Sequence, residues 1–550
     1  MAKKNENQLS YLQMPLPEGR KSYRLAKRAW NGLNKRQTID TGALSMTANM
    51  STSEAPYLTP AQKWTRIKPY TTYPISAFGF DDFLVVVHKD GSRIKIDYLS
   101  FKDCDEDEPV TYTSVLASGS TDTSPRSIIQ FNVYDTPTDT LTGKYVQKLL
   151  IYPDCKSMDF EITDDDFEIM DLNAEVVVYS NSEEPYLPPA DADKDKYYKN
   201  TFNQDVYRWV EDEEDESKSA WKASVPPGGP KLKYAAVHAS RVFGVDTDRV
   251  YASGYNDYTN WSLDTVDAYN ESNAWCSPAQ ANTKAGGEFT GIVNFQGHVV
   301  CFKRDFMHEI YNTKNPFRIQ DIFAEGAIDQ RTIQDVDGRL IFVSEDNVKV
   351  YTGSNPRIIG HNLNIRQFEK AVSGTDNRNY YLYCKEMYGG EHLFVYDTIT
   401  EQWSELTPGT EVRAFAHNRY GMFALCEDGL YRIDTGSYDQ DWSFETDLIT
   451  NQTANIKHIK KLQMLIDLPE TINNEDNDAR IKVYALYDGE EFSSRSQLVY
   501  DSAGRTGQLA VRVKPRKTAG YGIKLHVEGH GYAKLYELEL FMENGGDLYV

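Results

Sequence analysis

Cysteine is scarce in this chain: six in 550 residues, Cys104, Cys155, Cys276, Cys301, Cys384 and Cys426. None forms a Cys-x-x-Cys pair, and no histidine stands at zinc spacing from them, which excludes a disulfide scaffold and the common structural zinc sites. Cys301, Cys384 and Cys426 fall inside apolar strand-like runs, where a thiol serves as a small hydrophobe. No run of 18 apolar residues exists, so no membrane-spanning helix is expected. The start, Met1-Ala2-Lys3-Lys4-Asn5-Glu6, has no apolar stretch behind its lysines, so no secretory signal is expected and the chain reads as made in a cytosol. Catalytic signatures are missing as well. There is no Gly-x-Ser-x-Gly elbow, His-Glu-x-x-His helix, phosphate loop or dinucleotide fingerprint. Basic charge is the minority sign, with 59 Lys and Arg against 82 Asp and Glu and a net charge of −23. Most of such a surface repels nucleic acid.

What is present is a period. Val299-Val300-Cys301-Phe302, Leu340-Ile341-Phe342-Val343, Tyr381-Leu382-Tyr383-Cys384 and Met422-Phe423-Ala424-Leu425 begin 41 residues apart each time. Each apolar run leads through a polar turn to a second strand: Met307–Tyr311, Val348–Tyr351, His392–Tyr396 and Leu430–Ile433. A strand-built repeat of about 40–45 residues is the mark of a β-propeller blade. This spacing places Val299, Leu340, Tyr381 and Met422 at equivalent positions between neighbouring sheets. Two further copies stand upstream. Phe83–Val87 turns through Lys89-Asp90-Gly91 into Arg93–Tyr98, and Val242–Val245 turns through Asp246-Thr247-Asp248 into Arg249–Ala252.

The expected fold class is mainly β: a β-propeller of about six blades with a large insertion after the first blade and a C-terminal β-sandwich. Residues 1–75 read as a basic, extended arm. Tyr23, Ala26, Trp30 and Leu33 lie at helical spacing with Arg24, Lys27 and Arg28 between them, suggesting one short basic helix. The arm wraps its own propeller or reaches a neighbouring subunit. Residues 76–99 are first-blade material, 100–235 an acidic insertion domain and 236–446 the remaining blades. Residues 447–550 form the sandwich, in about five alternating strands separated by turns such as Asp488-Gly489 and Gly529-His530-Gly531. A two-sheet sandwich throughout is the alternative architecture.

No catalytic, cofactor-binding or metal-ligating residue is assigned. His298, His308 and His392 lie in blade strands and read as structural. Propeller glycosidases set two carboxylates across a channel, but acids are too plentiful here to single out a pair. Ser253–Trp261 is similar to the Asp-box turn of sialidases, which is structural even there. Asp164-Asp165-Asp166 and Asp246-Thr247-Asp248 lack the ligand spacing of a calcium loop.

Three stretches resemble one family. They are Asn49–Pro60 (Asn49-Met50-Ser51-Thr52-Ser53-Glu54-Ala55-Pro56-Tyr57-Leu58-Thr59-Pro60); Arg241–Val245 running into Val250–Trp261; and Gly326-Ala327-Ile328-Asp329 through Gly338–Ser344 to Val350–Gly353. The family is the tail nozzle, or packaged-DNA stabilisation, proteins of short-tailed bacteriophages. The resemblance implies a structural virion protein in a phage tail nozzle or tail hub, made in the host cytoplasm and free of cofactors. It implies six copies in a ring below the portal and its adaptor, with tail fibres as further partners. Double-stranded DNA would pass transiently, without specific binding. Such a bore should be lined by Asp and Glu, with Asp103–Glu108 and Glu211–Glu216 as candidates, because exposed lysines would hold phosphate. The alternative is a glycan-binding or glycan-degrading propeller, either a receptor-binding protein or a depolymerase.

Overall fold

The computed structural model describes residues 14–15, 22–27, 30–36, 43–102, 108–120, 122–135, 144–162, 167–172, 176–179, 189, 197–200, 206–210, 219–223, 230–261, 273–277, 287–315, 317–323, 325–365, 367–433, 436–450, 456–472, 475–513 and 519–544. The chain is mainly β. Among the described residues there is no α-helix, and no helix is long and apolar enough to cross a membrane.

Seven small antiparallel sheets follow one another in a propeller-like repeat. Sheet I holds Tyr73–Gly79, Phe83–Asp90, Arg93–Ser100 and Val110–Ser118. Sheet II holds Ser127–Asp135, Lys144–Tyr152, Lys156–Asp159 and Met170–Asp171. Sheet III runs over Tyr234–His238, Arg241–Val245, Val250–Ala252 and Trp275–Cys276. Sheet IV runs over Gly291–Phe295, His298–Phe302, Phe306–Tyr311 and Arg318–Phe323. Sheet V has Gln334–Val336, Arg339–Val343, Val348–Tyr351 and Arg357–Ile358. Sheet VI has Phe368–Thr375, Asn379–Glu386, Glu391–Asp397 and Gln402–Leu406. Sheet VII takes Val412–Asn418, Gly421–Cys426 and Gly429–Arg432 from one end of the repeat, and its fourth strand, Thr65–Pro69, from the other.

The second strand of each sheet is buried on both faces, which is why it reads as a continuous apolar run. Alternate residues serve the two neighbours. In sheet IV, Val299 and Cys301 pack with sheet III, while Val300 and Phe302 pack with sheet V. In sheet I, Phe83 and Val85 face sheet II, and Leu84 and Val86 face Phe423 and Leu425 of sheet VII. Seven such clusters link I to II, II to III and so on, and the seventh sheet back to the first.

The first strands are stitched by short polar side chains. Arg126 N donates to Ser76 Oγ (3.0 Å), Ser127 Oγ to Ala235 O (3.3 Å) and Asn294 Nδ2 to Val237 O (3.0 Å). Ile292 N donates to Gln330 Oε1 (2.6 Å), and Gln334 Nε2 to Ser373 O (3.2 Å). Glycine lets these strands converge: a Cβ on Gly79 would stand 1.8 Å from His417 O, and one on Gly374 would stand 2.2 Å from Phe415 Cβ.

Several expectations change. Val299, Leu340 and Met422 each face the preceding sheet, whereas Tyr381 faces the following one, and Tyr380 is their structural equivalent. A shift of one residue exchanges the faces of a strand, and a run apolar on both faces carries no phase to reveal it. The repeat has seven sheets rather than six. Sheet II lies within the stretch assigned to the insertion, and Val110–Ser118 completes sheet I, so the boundary at residue 100 falls inside a sheet. What departs from the repeat is a separate sheet of Val176–Tyr179, Tyr197–Asn200, Val206–Val210 and Ala220–Ala223, where Trp221 packs edge-on against Tyr198 and Trp209.

The C-terminal region is a paired-sheet unit around one core. A five-stranded sheet runs in the order Leu44–Ala48, Asp441–Thr446, Ile523–His530, Arg480–Tyr487, Gln497–Asp501. A six-stranded sheet contains Met14–Pro15, Ser22–Lys27, Lys534–Asn544, Lys457–Leu468, Gly507–Val513 and Ala519–Gly520. Trp442, Phe444, Val483 and Leu525 of the first sheet meet Met464, Ile466 and Leu540 of the second.

Three segments of the N-terminal arm, Met14–Pro15, Ser22–Lys27 and Leu44–Ala48, are therefore strands of this unit. Ser22–Lys27, expected as a helix, pairs antiparallel with Lys534–Asn544. Its backbone groups are satisfied by that partner strand, and pairing of this kind overrides a local helical spacing. Trp30 is buried in the paired-sheet core, while Leu33 is buried between sheets V and VI.

Candidate functional site

Where the first strands converge they leave a central channel of about 360 Å³. Sheets I, II, V, VI and VII line it, with Ser76, Ser127, Gln334, Thr375 and His417 among the polar residues. Sheet IV is covered by a 3-10 turn, Gln330–Thr332, whose neighbour Ile333 occupies the space a side chain on Gly291 would need. Asp329 caps the turn by accepting from Arg331 N (2.9 Å), and Ser373 Oγ and Tyr380 OH donate to the turn's carbonyls, those of Arg331 (2.9 Å) and Thr332 (2.8 Å). The turn carries Gln330 and Arg331 into the channel lining.

Among the described residues of that lining, arginine is the only fully charged type, at Arg126 and Arg331, and no Asp or Glu contributes to it. Arg126 is buried, and its Nε and Nη2 donate to the two oxygens of Asp154 (2.9 and 3.3 Å). Arg331 donates from Nε and Nη2 to Asp329 (3.0 and 2.8 Å). Burial opposes the charge of Arg331, and the Asp329 carboxylate more than offsets it, holding that guanidinium above its ordinary value. Nearby, burial and then the charges of Arg413 and Arg331 hold the Lys370 ammonium below its ordinary value despite its bond to Glu411.

A second cavity, of about 550 Å³, lies where the five-stranded sheet meets sheet VI. Asp441, Ser443, Lys482 and Glu528 line it and alternate with core residues, so they occupy the sheet's outer face. His530 bridges two carboxylates, with Nδ1 2.8 Å from Asp441 and Nε2 3.2 Å from Asp439. Asn49, the first residue of the strap Asn49–Pro60, lines this groove. Asn49 N donates to Glu405 O (3.0 Å), its Nδ2 to Asp441 O (2.9 Å), and its Oδ1 accepts from Thr407 N (2.8 Å).

Thr72, His88 and Asp97 have the composition of a nucleophilic triad, with His88 Nδ1 2.8 Å from Thr72 Oγ1 and Nε2 3.2 Å from Asp97. Asp97 is buried and also accepts from Lys68, Tyr70 and Thr113 (2.7, 2.9 and 2.6 Å), so the arrangement is a joint between sheets I and VII.

The histidines noted in the sequence are held by carboxylates. His308 Nδ1 lies 2.9 Å from Asp321, His392 Nδ1 lies 2.6 Å from Glu405, and His298 Nε2 lies 3.7 Å from Glu309. Asp246 Oδ1 accepts from Asp248 N and Arg249 N (2.9 and 2.8 Å), an Asx turn. Asp164-Asp165-Asp166 and Glu211–Glu216 lie outside the described residues, as do 103–107 of the run ending at exposed Glu108. Among the described residues, no group of three His, Cys, Asp or Glu is arranged to hold a metal. The five described cysteines are free thiols, all buried except half-buried Cys276.

In the stretch resembling an Asp box, Arg241 is buried and donates to Ser253 O and Asn273 O (2.6 and 2.8 Å). Trp261 fills the cluster between sheets II and III. Arg126 and Arg331 had no signature in the sequence. The only local hint was Asp329-Gln330-Arg331-Thr332, an acidic cap ahead of a short turn.

No family model matches this chain, and no curated protein matches it. Among solved structures it is similar to an extracellular domain assigned to a one component system of B. thetaiotaomicron, at 10% identity and TM-score 0.34, over 87% of this chain and 64% of that one. It is also similar to a puromycin-hydrolyzing peptidase of Mycobacterium tuberculosis, at 12% identity and TM-score 0.30, over 70% of this chain and 54% of that one. The chain thus spans less than two thirds of the length of both. A third likeness, at 9% identity and TM-score 0.21, is to the Bacteroides ovatus xyloglucan PUL GH43B, covering 56% of this chain and 96% of that one.

Proposed function

We propose that this chain is a structural, non-enzymatic subunit of the tail nozzle or tail hub of a short-tailed phage, located in the virion. In this reading the seven-sheet cycle is a closed seven-bladed β-propeller, with Thr65–Pro69 as its closing strand and the paired-sheet unit as a β-sandwich. Six copies form a ring beneath a portal adaptor. The observation that carries the reading is where the family-like stretches are used: each builds a joint. Asn49–Pro60 straps the paired-sheet unit to sheet VI through Asn49 and through Arg378 Nη2 donating to Ser53 O (2.9 Å). Arg241–Trp261 clasps sheets II and III. The third stretch builds sheet V and the Asp329 turn. A framework protein invests its distinctive residues in such joints.

The central channel of one chain, at about 360 Å³, is far too small for a duplex whose major groove alone is about 12 Å wide. DNA therefore passes along the axis of the ring of copies and not through any single propeller. The expected carboxylate lining belongs to that larger bore. A net charge of −23 disfavours retention of phosphate there. Negative-stain microscopy of the purified protein tests the proposal: six-fold rings are expected, and a monodisperse monomer at assembly concentration would overturn it.

A second reading, glycan binding or cleavage, is favoured by the groove in which Asp441 and Glu528 stand on adjacent strands beside Arg480 and His530. It requires turnover or capture of host polysaccharide that is lost on changing Asp441 and Glu528 together.

A further inference from the structure

A channel without carboxylates is out of character for this chain, which carries 82 Asp and Glu against 59 Lys and Arg. The lining of the central channel combines Arg126 and Arg331 with hydroxyls, amides and His417, and among the described residues it contains no Asp or Glu. Its acids stand behind the arginines: Asp154 takes the fork of Arg126 and Asp329 that of Arg331. Arg126 is fully engaged, since its Nη1 also donates to Ser124 O and lies 3.4 Å from Asp122. Arg331 is not. Nε and Nη2 are committed to Asp329, its side chain keeps 28% exposure, and among the described residues Nη1 has no partner.

We infer that the central channel binds a small oxyanion, a carboxylate or phosphate, seated against Arg331. A guanidinium held rigid on one edge by a carboxylate and open on the other is prepared to donate charge-assisted hydrogen bonds at little entropic cost. Asp329 fixes Arg331 through three bonds, one to its backbone and two to its guanidinium. The turn bearing it is fastened in turn by Ser373 and Tyr380. Gln330 stands beside it, its Oε1 occupied by Ile292 N, which leaves the amide N–H groups as the free end of that side chain. The volume, about 360 Å³, falls at the small end of ligand cavities.

The test is calorimetric titration of the full-length protein with inorganic phosphate and, separately, with succinate, each against sodium chloride at equal ionic strength. Saturable binding of one or both is expected, and which probe binds distinguishes a phosphate from a carboxylate ligand. Arg331→Gln should weaken that binding by about tenfold or more, the loss expected of a charge-assisted hydrogen bond. Arg304→Gln, which changes an exposed arginine paired with Glu345 (3.3 Å), should leave it intact. The wild-type titration decides independently of whether either variant folds. Absence of saturable heat with both probes overturns the inference, as does an Arg331→Gln protein that binds like the wild type.

Discussion

Lys68 Nζ lies 2.7 Å from Oδ2 of Asp97, and that ion pair ties the strand completing the last sheet of the cycle to the first. Tyr70, His88 and Thr113 converge on the same buried carboxylate from three further segments. Burial alone would raise the Asp97 pKa, but hydrogen bonds from His88, Lys68 and Thr113, with the Lys68 charge, hold it well below the usual carboxylate range. Replacing Asp97 by Ala leaves those donors facing each other without an acceptor and should cost about 3–5 kcal/mol. The folded value lies below the ordinary ~3.9 of an unfolded Asp, so ionised Asp97 stabilises the fold above about pH 4. That contribution is lost as the pH falls below the unfolded value toward the folded one. Urea unfolding midpoints measured down an acid series should decline less steeply in Asp97→Ala than in the wild type.

Asn49 is the pivot of the strap. It sits at φ +56° and bonds to Glu405, Thr407, Asp441 and Ala61. Asn49→Ala removes two side-chain bonds and places alanine in the left-handed region, a combined cost of about 2–4 kcal/mol. Asn49→Gly should recover about 1 kcal/mol of it, because glycine accepts that backbone without strain. Hydrogen exchange of Gln402–Leu406 should accelerate in both variants while sheets I to III stay protected.

The second strands were legible because burial on both faces writes an unbroken apolar run. The same property hid their phase, so Tyr381 stood in for Tyr380. The strands of sheet II, Ser127–Tyr134 and Tyr145–Tyr152 as read from the sequence, were assigned to the insertion because acidic loops break their spacing. The fourth strand of sheet VII, Thr65-Arg66-Ile67-Lys68-Pro69, has no apolar signature since it pairs on one side only and is at most half-buried. The channel could not be read at all. Ser76, Arg126, Arg331, Ser373 and His417 come from five separate segments, and only the packing of the sheets against one another brings them together.

The thiols should follow their burial. Burial pushes Cys301 and Cys384 up, Cys426 to about 12, and half-buried Cys276 upward as well. Iodoacetamide near neutral pH should therefore leave Cys155, Cys301, Cys384 and Cys426 unmodified in the native protein and label Cys276 slowly. All five should react in denaturant. Rapid native labelling of Cys301, mapped by mass spectrometry, would contradict its place between sheets III and IV.

Gly79 tests the convergence of the first strands. An added Cβ meets the carbonyl oxygen of His417 at 1.8 Å, and that obstacle is backbone, which cannot rotate away. Gly79→Ala should cost about 1–3 kcal/mol by forcing sheets I and VII apart. Gly91→Ala, where nothing lies within 4 Å but φ is +58°, should cost only about 1 kcal/mol from backbone strain. Thermal denaturation of both variants separates steric crowding from strain.

The segment Trp30–Leu33 decides how much the N-terminal residues contribute to the fold itself. Trp30 is 3% exposed in the paired-sheet core and Leu33 0% exposed between sheets V and VI. Leu33 N donates to Trp403 O (2.7 Å), and Lys35 Nζ is 2.9 Å from Glu405. A free arm could be deleted without thermodynamic consequence. Here, removal of residues 1–36 strips two strands, Met14–Pro15 and Ser22–Lys27, from the six-stranded sheet and both anchors from their cores. Leu33→Ala should cost about 2–5 kcal/mol, and Trp30→Ala about 3–5 kcal/mol. The two lie in different clusters, so the double variant should be close to additive if those clusters are energetically independent. A deletion of residues 1–36 with wild-type thermal stability would refute this account and return the segment to the role of an arm held in reserve for a neighbouring subunit.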